Sequence, residues 1–182
     1  MSARFFVITG GPGSGKTALI SALARQGLAT MPEAGRAIIR DQSRIGGSGW
    51  HGSDRRLFAE LMLQWELRSW HEAQALEGPV LFDRGLPDVV GYLELYEGGA
   101  PGHMHRAAEQ FRYHGTVFFA PPWRQIFAQD AERAQDFDEA VATSEALQRA
   151  YAAAGYKLQP LPLAPVAERA RVVLDHIARA TA

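Results

Sequence analysis

The sequence predicts an α/β fold, a doubly wound parallel sheet with helices on both faces. Two observations carry that expectation. Five short apolar runs rich in Val, Ile, Phe or Leu alternate with longer segments of helical period, the pattern of parallel strands joined by crossover helices. No repeat, low-complexity tract or linker divides the 182 residues, so residues 1–182 are expected to form one domain.

The elements follow in order. Arg4 to Thr9 is the first strand, Leu28 to Met31 a weaker second one ended by Pro32, and Pro79 to Asp83 the third. Gly115 to Ala120 is the fourth. The fifth, Tyr156 to Leu161, contains Pro160 and therefore suits an edge. Thr17 to Gln26, Glu33 to Ser43, Ser53 to Leu76, Asp136 to Ala154 and Pro165 to Ala180 read as helices, the last with Pro in its first turn. Leu57, Leu61, Met62, Trp65 and Leu67 have mostly helical spacing and are expected in the core. Ligands of such a sheet sit at the carboxyl ends of its strands.

Composition narrows the function classes. With 47% hydrophobic residues there is ample material for a core, and a formal net charge of −1 supplies no broad positive field. Nucleic-acid polymers and anionic membranes are thus not expected as partners. The absence of cysteine excludes disulfides, thiolate nucleophiles and Cys-bound metals, and agrees with a reducing compartment, read here as the cytoplasm. Met1-Ser2-Ala3-Arg4 runs straight into a strand without a signal-peptide pattern, and no apolar run approaches the roughly 18 residues of a membrane span.

The chemistry starts at Gly10-Gly11-Pro12-Gly13-Ser14-Gly15-Lys16-Thr17, a complete G-x-x-x-x-G-K-[ST] between a strand and a helix. Glycines let the chain wrap closely around phosphate with its N–H groups inward, and the following helix adds the positive end of its dipole. Lys16 is expected to reach the β- and γ-phosphates of ATP, and the Thr17 hydroxyl to ligate Mg²⁺, with Ala18 completing the nucleotide-binding turn. The chain thus reads as a P-loop NTPase. It shows no Asn-Lys-x-Asp motif of GTPases, and its third strand ends Phe82-Asp83-Arg84 rather than in the Asp-Glu pair of transporter-type or hexameric ATPases.

Taken with the P-loop, Pro32-Glu33-Ala34-x-Arg36, Phe82-Asp83-Arg84-Gly85-x-x-Asp88 and Asp130-x-x-Arg133 resemble, in the same order, a known family. It is the small AAA-type ATPase/kinase-like family that includes the ribosylnicotinamide kinase domain of NadR-type proteins and, more distantly, the deoxynucleoside and thymidylate kinases. The resemblance implies a three-layer α/β/α fold with a five-stranded parallel sheet, a lid at about residues 123–138, and phosphoryl transfer from ATP-Mg²⁺ to a small acceptor. Where deoxynucleoside kinases commonly have a small hydroxyl residue after the acid-Arg pair, this chain has Gly85, which leaves the acceptor open.

By the same resemblance Asp83 is the Walker-B acid sharing Mg²⁺ with Thr17, and Glu33 is the carboxylate that accepts the proton of an attacking hydroxyl. A base helps an alcohol acceptor, whereas an anionic phosphate acceptor needs cationic clamping. Glu33 therefore favours a nucleoside or other hydroxyl acceptor; its bland alternative is a first-turn glutamate favoured by the helix dipole. Arg84 is expected to meet the acceptor or the phosphoryl group, or else to serve in structural pairing. Arg36 and Arg40 either face the crevice or form a solvated stripe, and Asp88 either binds an acceptor hydroxyl or caps a helix through Val89 and Tyr92. Arg124 and Arg133 are the lid cations, or else surface partners of nearby acids. Ile45 to Gly52 is too glycine-rich to order itself, a mobile flap or a plain loop, and His103-Met104-His105 reads as exposed histidines in a loop. A regulatory ATPase without a small-molecule acceptor and a nucleoside monophosphate kinase remain alternative readings. Oligomeric state is not readable.

Overall fold

Phe5-Phe6-Val7-Ile8 is apolar at successive positions because the strand it forms is covered on both faces. In the computed structural model, which describes residues 2–127 and 136–181, this is strand β1 (Phe5–Thr9), every residue buried. Side chains alternate across a strand. Accordingly Phe5 and Val7 join one core cluster while Phe6 and Ile8 join another on the opposite face.

The remaining described elements are α1 (Lys16–Arg25), β2 (Ala29–Met31), α2 (Ala34–Ile45), α3 (Arg55–Gln74), β3 (Val80–Asp83), α4 (Leu86–Glu97), α5 (Gly102–Gln110), β4 (Thr116–Phe119), α6 (Phe137–Ala153), β5 (Lys157–Pro160) and α7 (Val166–Thr181). All strand pairs are parallel, in the order β2-β3-β1-β4-β5. The five-stranded sheet of an α/β P-loop NTPase is thus realised, with the proline-bearing fifth strand at an edge. Helices α1 and α7 supply Leu19, Leu23, Val173 and Ile177 to one face; α3 to α6 supply Leu63, Leu93, Met104 and Tyr151 to the other. The chain leaves β1 in both directions across the sheet, so the crevice opens at the carboxyl end of β1, where Gly10 follows. No helix among the described residues is long and apolar enough to cross a membrane.

Several expectations need correction. His103 to His105 lie in α5 rather than in a loop, because Met104, Ala107 and Ala108 recur at helical spacing and are buried. His103 Nε2 lies 2.9 Å from Glu60 Oε1. The inner face of α3 is also rotated from the expected one: Phe58, Ala59, Leu63, Glu66, Ser69 and Ala73 are buried, Leu61, Met62, Trp65 and Leu67 are partly buried, and Leu57 is exposed. The glycine-rich stretch 45–52 is ordered by Gln42, which accepts from Gly47 N through its carbonyl and from Gly49 N (3.0 Å) through Oε1; Ser48 O accepts from Asp54 N (2.9 Å). Gly46, in the left-handed conformation, caps α2.

Two contacts set how the helices meet the site. Arg4 at the start of β1 donates to the carbonyls of Ala73, Gln74, Leu76 and Gly78, closing the carboxyl end of α3 where a cation is favoured. Gly91 lets α4 approach α6 closely: a Cβ there would stand 3.1 Å from Ala150 Cβ and 3.2 Å from Ala146 O. Gly91→Val is expected to destabilise the fold by about 1–3 kcal/mol through overpacking, read as a lowered urea midpoint.

Candidate active site

The phosphate loop is shaped by its own backbone. Gly10, Gly13 and Gly15 hold φ of 139°, 70° and 76°, conformations closed to most side chains, which is why the motif demands glycine there. Lys16 Nζ donates to Gly10 O (2.6 Å), Gly11 O (2.9 Å) and Ser14 Oγ (3.3 Å), and Ser14 Oγ donates to Gly11 O (2.8 Å). From α7, the buried Arg169 donates through Nη2 to Ser14 O at 3.1 Å. Thr17 and Ala18 are exposed on the first turn of α1. The ring of Phe127 packs over Gly13, and Ile126 lies against Gly15.

Beside the loop stands a cluster of charge. Arg84 directly follows β3, is the single non-glycine residue with positive φ (79°) among those described, and is partly buried. Its Nε donates to Glu33 Oε1 (3.1 Å) and its Nη1 to Asp88 Oδ1 (3.0 Å). Burial lowers the Arg84 pKa, but Glu33, Asp88 and Asp83 outweigh it and hold the guanidinium above its ordinary value. Asp88 also accepts from Thr9 Oγ1 (2.6 Å), Gly85 N (2.9 Å) and Tyr151 OH (2.6 Å). Four donors fill both of its oxygens. Of the two expectations for Asp88, the helix cap is therefore the one the geometry realises; a direct bond to an acceptor has no lone pair left.

Asp83 is 8% exposed and its Oδ1 has no hydrogen-bond partner among the described residues. Burial first, then Glu33, push its carboxyl from 3.8 up to about 6, with Lys16 and Arg84 opposing. The unfilled carboxylate oxygen of Asp83 and the exposed hydroxyl of Thr17 are hard oxygen donors of the kind Mg²⁺ takes, so these residue types fit that ion.

Against this cluster lies a half-open cleft enclosing about 850 Å³, its solvent-filled mouth included. Pro12, Glu33, Arg84 and Asp88 line it on the loop side; Ile39, Phe58, Met62, Tyr92, Tyr96 and Leu147 are among the apolar and aromatic residues of the rest. Tyr92 meets Phe58 edge-on at 5.6 Å, and His51 meets Phe58 at 6.3 Å. Burial first, then Arg55, lower the His51 pKa, which favours the neutral ring.

The structure thus brings Lys16, Glu33, Asp83, Arg84 and Asp88 together at the carboxyl end of the sheet. Arg36 lines the same cleft, its Nε 3.6 Å from Glu33 Oε2. Arg40 stays on the surface 3.9 Å from Asp41, as the stripe reading had it. Arg124 is exposed, 4.1 Å over the Phe137 ring and 3.9 Å from Asp138, outside the cleft; Arg133 and Asp130 lie outside the described residues. Sequence reasoning missed Thr9, Tyr151, Glu66, Phe58, His51, Tyr92 and Tyr96. Glu66 was findable as an acid on the line Phe58, Met62, Glu66, and Thr9 as the polar residue ending an apolar strand; Tyr151, in an alanine-rich helix, carries no such signal.

The AAA domain family profile matches residues 5–169. Among curated proteins, none matches the sequence. The fold is shared with deoxyadenosine kinase from M. mycoides holding the products dCMP and a flexible dCDP, at a TM-score of 0.66 and 12% identity over 96% of this chain and 99% of that one. The same enzyme with bound dATP gives 0.59, again at 12% identity with 96% and 99% covered.

Two outcomes follow from the charge cluster. Asp88→Ala leaves Thr9, Tyr151 and Gly85 N without an acceptor and Arg84 short of a partner, and is expected to cost about 3–5 kcal/mol in urea denaturation. The raised Asp83 value means its proton is held more tightly in the folded chain, which favours folding below about pH 4 and ceases to as pH rises through about 6. Asp83→Asn is accordingly expected to exceed the parent by on the order of 2–3 kcal/mol at pH 8, without magnesium or nucleotide, and to converge with it near pH 4.

Proposed function

Because the chain belongs to the AAA domain family, we propose that it is an ATP-dependent kinase that transfers the γ-phosphoryl group to a hydroxyl of a small, ring-bearing acceptor of the nucleoside kind. The observation that carries this reading is the aromatic cleft beside the phosphate loop with Glu33 and Arg84 at its inner wall. A nucleotide-dependent switch needs the loop but has no use for a second, ring-sized chamber against it. The likeness to a deoxyadenosine kinase that holds dCMP as a product supports the same class of acceptor.

In this mechanism Lys16 and the backbone N–H groups of the loop hold the β- and γ-phosphates. Thr17 and Asp83 are the ligands of Mg²⁺, which when bound neutralises charge on the phosphoryl oxygens. Glu33, held by Arg84 at 3.1 Å, takes the proton of the acceptor hydroxyl as that oxygen bonds to the γ-phosphorus. The bond from phosphorus to the bridging oxygen breaks and ADP leaves. Arg124 and Arg133 are proposed as lid cations that approach the phosphoryl group on closure. Arg36, Arg40 and Arg84 do not gather on one anion site, which removes the feature that would favour a nucleoside monophosphate acceptor.

The test is magnesium-dependent ADP release against nucleosides, nucleoside monophosphates and small alcohols. One hydroxyl acceptor is expected to stimulate turnover, Lys16→Ala to abolish it, and Glu33→Gln to lower the stimulated kcat by about 10²–10⁴ without changing the KM for ATP. Slow ADP release indifferent to every acceptor and to Glu33→Gln would hand the lead to a regulatory ATPase.

A further inference from the structure

Helix α3 presents Phe58, Met62 and Glu66 to the cleft at four-residue spacing, one above the other, roughly 6 Å apart along the axis. The first two are expected occupants of an apolar wall. Glu66 is not: it is 4% exposed, lines the cleft, and makes no hydrogen bond or ion pair with another described residue. An unpartnered buried carboxyl costs about 1–3 kcal/mol that a Leu or Met at the same place would not. Nothing in the packing of α3 returns that cost. On α6 the Thr143 hydroxyl, also in the lining, is buried without a partner among the described residues. Both groups have hydrogen-bonding capacity that the described residues leave unused, whereas Asp88 in the same cleft has none to spare.

Resting on the reading of the cleft as the acceptor chamber, we propose that Glu66 selects the acceptor, its carboxyl engaging an adjacent donor–acceptor pair on the acceptor's ring, the edge of an amide, lactam or amidine. The charge around it says which form of the carboxyl does so. Burial and the neighbouring Asp88, Asp83 and Glu33 raise the pKa of Glu66 well above the carboxylate range, against the opposing pull of Arg84, which favours the protonated form. A protonated carboxyl offers one O–H donor and one carbonyl acceptor side by side, complementary to an N–H beside a C=O, or to a ring nitrogen beside an amino group. A site built this way also rejects an apolar ring, which would leave the acid unpaired. Anionic ligands are disfavoured near it because Glu33, Asp83 and Asp88 already crowd that wall.

The experiment is calorimetric binding of inosine, cytidine and the phenyl C-riboside, which keeps the sugar but has no polar edge, to the full chain and to Glu66→Gln and Glu66→Leu. The parent is expected to bind inosine or cytidine at least about tenfold more tightly than the phenyl riboside. Glu66→Gln, which also offers a donor beside an acceptor, keeps that preference within about threefold, and Glu66→Leu loses it while binding the phenyl riboside as well or better. No binding of inosine or cytidine, equal binding of all three by the parent, or equal weakening of all three by Glu66→Leu overturns the proposal. Thermal melting of both variants reads any folding defect separately, and Glu66→Gln decides if Glu66→Leu does not fold. Edge-dependent binding without phosphoryl transfer would overturn the kinase reading alone; transfer without edge preference would overturn this one alone.

Discussion

Arg84 is the constraint on which the site depends. Its guanidinium joins the segment after β2, through Glu33, to the first turn of α4, through Asp88, while its own backbone N–H bonds Ile8 O of β1 at 3.0 Å. Asp88 extends the tie to β1 and α6 through Thr9 and Tyr151. Three carboxylates stand close enough to raise the guanidinium's pKa, and such a group is tolerated in a buried place only around a cation. The backbone strain of φ 79° at a residue with a side chain is held by those same ion pairs. Remove the charge and both the strain and the acids are uncompensated.

The crevice divides its work by polarity. On one side the phosphate loop presents backbone N–H groups and Lys16, which suit a polyanion whatever base it carries. On the other side lies a largely apolar chamber whose lining includes Glu33, Glu66 and Asp88 together with Arg36 and Arg84. Asp83 lies between the two, at the end of β3 and in register with Ile8, its pKa raised by burial first and then by Glu33.

Much of this was readable in the residues. The loop, the strand-helix alternation and the grouping of Glu33, Asp83 and Arg84 rest on local rules: glycine where φ is positive, apolar runs where a strand is covered twice, acids at strand ends. What was missed depends on rotation and on distance. The buried face of α3 differs from the expected one by about one residue's turn, because packing on β1 and α4 chose Phe58 and Leu63 over Leu57 and Leu61. Tyr151 is 63 positions from the carboxylate it donates to, and no spacing rule joins them. Stretch 45–52 looked unable to order itself, yet the backbone and side chain of Gln42 in the preceding helix hold Gly47 and Gly49, and Asp54 N holds Ser48.

The contact between Arg169 and Ser14 O spans 155 positions of sequence, nearly the full length of the chain. During synthesis the glycine-rich turn emerges early, and its brace arrives only after the sheet that carries α7 has closed. Until then the turn has its motif but lacks one of the groups that hold its carbonyl in place. The full set of contacts around the turn therefore depends on α7 as well as on the segment that bears the signature. A loop wired to its most distant helix reports, in effect, that everything between them has folded.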